Sequence, residues 1–147
     1  MKRIILLIMM LGLLTGCGKK EVANINAEDV ANRLLNEVEY GGNLDQMNDD
    51  MIALLYDVNA EDVSKQILYC STDATADELA VFEATSEDAA KRIEDVVNQR
   101  VADQKASFEG YEPKEVERLE KAVVKRIGNV VVLCVSSDSD KASEIIK

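Results

Sequence analysis

Histidine and tryptophan are absent from this sequence, proline occurs once, and aromatic residues make up only 4% of it. Without histidine the chain builds no Ser-His-Asp triad, no Cys-His dyad and no histidine-ligated zinc site. The absence of tryptophan removes the usual platform for stacking sugars. Basic charge is also scarce: 17 Lys and Arg stand against 28 Asp and Glu, a formal net charge of −11. Phosphate affinity comes from clustered Lys and Arg, so this balance argues against a nucleic-acid partner. What is present is apolar: hydrophobic residues make up 47% of the 147. Disordered chains are poor in such residues, so the composition indicates one globular domain with a real core.

The first residues form a targeting segment. Lys2 and Arg3 give a positive start, and residues 4–14 form an apolar run interrupted only by Gly12. Eleven helical residues reach roughly 16 Å, about half of a bilayer core, which suits a secretory signal and not a membrane-spanning helix. The run ends in Leu14-Thr15-Gly16-Cys17. That order of aliphatic, small, small and cysteine resembles the lipobox of bacterial lipoproteins. The resemblance implies diacylglycerol on the Cys17 thiol and cleavage after Gly16, so residues 1–16 are lost and Cys17 becomes the mature N-terminus. Two acyl chains hold a protein stably where one does so only marginally. Residues 17–25 then serve as lipidated terminus and tether, at most about 28 Å when extended beyond Cys17. Lys19 and Lys20 in that tether lie near anionic head groups. The expected location is the outer face of the cell membrane.

Residues 26–147 contain no linker and read as a single domain. Ala27, Val30, Ala31, Leu34, Leu35 and Val38 share one helical face, with Asn26 as cap and the Gly41-Gly42 pair as stop. A second helix is expected over 49–56, capped by Asn48, and a further turn starts at Asn59. The period then changes to that of strands, over 66–71 and 78–84. Ser86 caps a long helix running to about 107, with Ala89, Ala90, Ile93, Val96, Val97 and Val101 on its apolar stripe. Pro113 opens a short helix ending near 119. Strands over 122–127 and 130–136 flank Gly128-Asn129, a hairpin-turn dipeptide. Ser137 or Asp138 caps a last helix through 146. The expected fold class is α+β: two N-terminal helices, then strand-strand-helix twice. The two hairpins make an antiparallel four-stranded sheet with the helices packed on one face.

Residues 69–84, from Tyr69-Cys70-Ser71 to Phe82-Glu83-Ala84, together with Val101-Ala102-Asp103-Gln104-Lys105 and Tyr111-Glu112-Pro113, carry a second resemblance. They are similar to an uncharacterised family of Gram-positive lipoproteins known only as a domain of unknown function, number four-three-five-eight. The resemblance implies a lipid-anchored extracytoplasmic α+β domain and supplies no activity, cofactor or catalytic residue.

Candidate chemistry is thin. Cys70 and Cys134 either form a disulfide, permitted outside the membrane, or serve as two separate small apolar residues, the favoured alternative. A catalytic thiolate has no histidine to activate it. Asp45, Asp49 and Asp50, like Asp138 and Asp140, stand at helix starts, where capping and the helix dipole favour acids, and they lack the spacing of a calcium loop. No metal or cofactor is expected. Residues 26–64 nevertheless hold ten acids and one base, Arg33, while residues 65–147 hold 17 acids and 12 bases. This acidic front, with Glu28, Asp29, Asp45, Asp49 and Asp50, is either a solvated like-charged surface or the place where a basic partner docks. The functional expectation is a non-enzymatic binding or accessory module at the cell envelope. Its partners are the membrane, through Cys17, and an envelope protein. The alternative is a carboxylate-dependent envelope hydrolase.

Overall fold

The computed structural model describes residues 25–147. The signal segment, the lipobox residues Leu14, Thr15, Gly16 and Cys17, and the tether up to residue 24 lie outside the described residues. Five helices and five strands follow in order: α1 (Ala27–Glu37), β1 (Leu44–Gln46), α2 (Asp49–Leu55), a single 3-10 turn (Ala60–Asp62), β2 (Val63–Ser71), β3 (Glu78–Ala84), α3 (Glu87–Phe108), α4 (Pro113–Glu120), β4 (Val123–Ile127), β5 (Val130–Val135) and α5 (Ser139–Ile145). Local chemistry starts most helices where the sequence indicates. The side chains of Asn26, Asn48, Ser86 and Asp138 accept backbone N–H bonds at the starts of α1, α2, α3 and α5. Pro113 occupies the first turn of α4, where its missing N–H costs nothing.

The strands form one antiparallel sheet in the order β1-β2-β3-β5-β4. The two expected hairpins are there, joined through β3 and β5 with Glu78 opposite Val135 and Glu83 opposite Val130. In the β4–β5 turn only Gly128 of the Gly-Asn pair takes a positive φ, 58°. The sheet has five strands and not four. The additional β1 is three residues long, too short for any hydrophobic period, and is defined solely by pairing Leu44 with Ser71, Asp45 with Cys70 and Gln46 with Tyr69.

The helices also lie on both faces and not on one. Leu68, Ala80, Phe82, Val131 and Leu133 point to a core closed by α2, α3 and α4, through Ile52, Ile93, Val97 and Leu119 among others. Their neighbours along the strands, Leu79, Val81, Val130, Val132 and Cys134, point to a second core closed by α1 and α5. Strand side chains alternate between faces, so a strand apolar at every position is buried on both. All six residues of β5 are buried. Fully burying one such aliphatic side chain contributes about 1.5–3 kcal/mol relative to leaving it exposed, enough for two helical layers to form where only one was expected.

The glycine pair has another role than helix stop. α1 ends at Glu37, and Val38 is already extended. A Cβ on Gly41 would collide with the guanidinium of Arg118, and one on Gly42 would approach the Ser71 hydroxyl at 2.7 Å and that of Thr75 at 2.8 Å. The pair lets the chain pass close over polar side chains from α4 and the β2–β3 loop.

Candidate functional site

Two polar regions stand out, one sealed and one open. The sealed region lies at the head of β3. Glu78 is 1% exposed, yet both of its oxygens are occupied. Arg100 from α3 donates through Nε to Oε1 at 3.2 Å and through Nη2 to Oε2 at 2.8 Å. Gln104, one helical turn on, donates to Oε2 at 2.7 Å, and the Tyr56 hydroxyl donates to Oε1. The Arg100 guanidinium also lies 5.7 Å from the centre of the Tyr56 ring, within cation–π range. Burial and the Glu78 carboxylate together keep the Tyr56 phenol protonated far above its ordinary range.

The preceding residue, Asp77, is equally hidden and is paired with Arg118 from α4. The Thr75 hydroxyl bridges Asp77 Oδ2 and the Ser71 hydroxyl, each at 2.7 Å. Glu115 accepts the Ala76 N–H at 2.7 Å and lies 3.5 Å from the other arm of Arg118. Asp77 Oδ1 and the Ser136 hydroxyl are buried without hydrogen-bond partners among the described residues. Nothing in the sequence marked these acids, because their arginines lie 22 and 41 positions downstream. The only available signal was two consecutive acids opening an apolar strand, which a two-sided sheet buries unless each finds a cation.

Both cysteines belong to the cores. Cys70 and Cys134 are free thiols. Cys70 borders the core under α3, and Cys134 lies in the one under α1. They therefore occupy opposite faces of the sheet as two separate thiols, and no disulfide joins them. Burial, with Glu78 beside it, pushes the Cys70 thiol up to about 12, and burial also raises that of Cys134. Neither is activated as a nucleophile.

The open region lies at the start of β2, where the N-termini of α1 and α2 meet the strand from opposite faces. Glu28 from α1 accepts a bond from Lys65 Nζ at 2.7 Å, and Asp49 from α2 accepts one from Gln66 Nε2 at 2.9 Å. Asp29, Asp45 and Asp50 are exposed and have no ion-pair partner among the described residues. The structure thus brings Glu28 and Asp49 to adjacent positions of one strand, and places Asp45 on the short edge strand opposite Cys70, at the other end of β2. Further along, Asp62 forms a two-pronged pair with Arg92, at 2.8 and 2.6 Å, which holds its carboxyl below the usual carboxylate range. Among the described residues no three His, Cys, Asp or Glu side chains are grouped to hold a metal ion.

With that geometry in place, comparison with known proteins finds one family model, a domain of unknown function, matching residues 36–136, more than half of the chain. The chain belongs to the DUF4358 family. No curated protein and no solved structure matches it. The DUF4358 match includes all five strands and every residue of the sealed region, while α5 and most of α1 fall outside it. Glu28 and Asp29 lie outside the matched residues, and Asp45, Asp49 and Asp50 lie within them.

Proposed function

We propose that this DUF4358 protein is a lipid-anchored, extracytoplasmic binding or accessory module at the outer face of the cell membrane, and that its acidic front is the binding surface. The observation that carries the binding part is the contrast in charge pairing. The buried acids each have an arginine, whereas Asp29, Asp45 and Asp50 are exposed and have no ion-pair partner among the described residues. Like charges gathered on a surface destabilise the fold by mutual repulsion and are relieved by a basic partner. The anchor rests on Leu14-Thr15-Gly16-Cys17. Among the described residues no helix is long and apolar enough to cross a membrane, so an acyl anchor would supply the attachment.

The hydrolase alternative has less support. A carboxylate acting as acid or base needs access to substrate and freedom to exchange its proton. Asp77 and Glu78 are buried and committed to arginines.

Two measurements test the proposal separately. Cys17→Ser should abolish incorporation of labelled fatty acid and release the protein from membranes; retention at high salt would defeat the anchor. Crosslinking from Asp50 replaced by a photoreactive residue in intact cells should capture an envelope component. Turnover of envelope polymers, lost on replacing one Asp or Glu at unchanged stability, would defeat the binding reading.

A further inference from the structure

We propose that the hollow between α4 and the end of β5 is an anion site that takes a phosphate group, free or esterified. It goes beyond the acidic front and does not depend on it.

Charge is placed here against the trend of the chain. Acids outnumber bases 28 to 17, so cations find acid partners easily. Among the described residues four cations nevertheless have no ion-pair partner: Lys114, Lys121, Lys125 and Lys147. Two of the four, Lys114 and Lys121, line one hollow of about 210 Å³ with Glu117, Arg118, Ser136 and Ser137. Lys114, Arg118 and Lys121 are spaced four and three positions apart, which puts them on one face of α4 and its cap. The acids behind the hollow, Asp77 and Glu115, are buried and held by Arg118. Glu117 is exposed and forms no ion pair with either lysine. Two unpaired cations lining one hollow repel each other, and an anion relieves that repulsion.

The donor set selects the anion. Arg118 gives Nη1 to Asp77 and Nη2 to Glu115, so its two-pronged face is taken and a planar carboxylate finds no fork to grip. What remains are two ammonium groups from α4 and hydroxyls from the end of β5, approaching from separate elements. That arrangement suits a tetrahedral group carrying several acceptor oxygens. The Ser137 side of the hollow is exposed, and the buried Ser136 hydroxyl, without a hydrogen-bond partner among the described residues, has no bond to give up on turning toward a ligand. Organic ligands usually occupy about 300–1,000 Å³, so this smaller hollow admits a single anionic group and not a ring system. Strand register also sets it apart from the acidic front. Glu78 lies opposite Val135 at this end of β3, and Glu83 lies opposite Lys65 near the other, a span of roughly 17 Å. An anion reaches the hollow without passing Glu28 or Asp49.

The test titrates the full chain, in neutral detergent micelles at constant ionic strength, with inorganic phosphate and with glycerol 3-phosphate, and follows amide chemical shifts. We expect saturable shifts confined to residues 114–121 and to Ser136 and Ser137. Lys125 and Lys147 are the internal control, being unpaired but outside the hollow; an equal response there would reduce the effect to general charge screening and overturn the site. Lys114→Gln combined with Lys121→Gln should weaken binding at least about tenfold, and Glu117→Gln should tighten it about threefold. All three positions are exposed, so the unfolding midpoint should stay where it is. Binding indifferent to these changes would overturn the proposal. Succinate should bind at least about tenfold more weakly than either phosphate probe, and equal binding would overturn the assignment to phosphate. Tighter binding of glycerol 3-phosphate than of inorganic phosphate would identify an ester as the ligand, and the reverse order free phosphate. The same shifts on doping the micelles with phosphatidylglycerol, with no phosphate added, would identify a lipid head group. No saturable shift with any of these three probes overturns the site and leaves the acidic front untouched.

Discussion

Asp77 and Glu78, at the head of β3, are closed off from solvent and each meets an arginine. Asp29, Asp45 and Asp50, near the starts of α1 and α2 and on β1, face water with no ion-pair partner among the described residues. The two regions hold charge of the same sign under opposite conditions. A buried carboxylate without a partner is costly, so the sealed acids exist only because α3 and α4 deliver Arg100 and Arg118 to them. An exposed carboxylate costs little by itself, and Asp29 and Asp50 sit in the first turns of α1 and α2, where the helix dipole favours acids. The sealed region therefore reads as an organiser of the fold, tying α3, α4 and the β2–β3 loop to one end of the sheet. The open region reads as surface left for something else.

The largest expected break of this comparison is Glu78→Ala. It strands the Arg100 guanidinium, the Tyr56 hydroxyl and Gln104 around an empty site, and should cost about 3–5 kcal/mol in denaturant unfolding. Arg118→Ala should follow, at about 3 kcal/mol, since it leaves Asp77 and Glu115 buried without their shared cation. A loss under 1 kcal/mol in either case would show that the sealed region does not organise the fold. Cys70 sharpens the contrast through pH. Its thiol is pushed up to about 12 in the folded protein, so it stays protonated after its unfolded counterpart has ionised. Stability linked to it is therefore complete below the ordinary thiol range and declines as pH rises through that range toward 12. At pH 8 its thiolate fraction is on the order of 10⁻⁴, and alkylation, followed by mass spectrometry at Cys70, should be at least about a hundredfold slower in native than in unfolded protein. The smallest effect belongs to the open region. Leu54→Ser, at a side chain 78% exposed, should change stability by less than about 0.5 kcal/mol. A larger loss would mean that the α2 flank is held by contacts of its own.

Much of the fold was legible from local signals. Asn26, Asn48 and Ser86 cap helices because each side chain bonds an amide two or three positions on, and Gly128-Asn129 sets a hairpin register within four residues. β1 was not legible, since Leu44-Asp45-Gln46 carries no period and exists only through its partner strand. The second helical layer was half legible. Leu79 and Val81 are as apolar as Ala80 and Phe82, and that two-sided pattern was the sign of a sheet covered on both faces. The acidic front was visible as composition, but its focus on Lys65 and Gln66 was not, because α1 and α2 reach those residues from opposite sides of the sheet.

The sequence by itself determined where helices and strands begin, that the domain is α+β, and that acid is concentrated toward its N-terminal part. These depend on neighbours a few positions apart, where backbone geometry fixes who meets whom. Only the tertiary structure decided which acids are sealed and which are open, that two cysteines lie on opposite faces, and that a fifth strand, β1, pairs with the end of β2. Those outcomes depend on pairs such as Glu78 with Arg100 and Asp77 with Arg118, brought together when distant segments pack against one sheet. Burial then sets the energetic difference between carboxylates that the sequence writes identically.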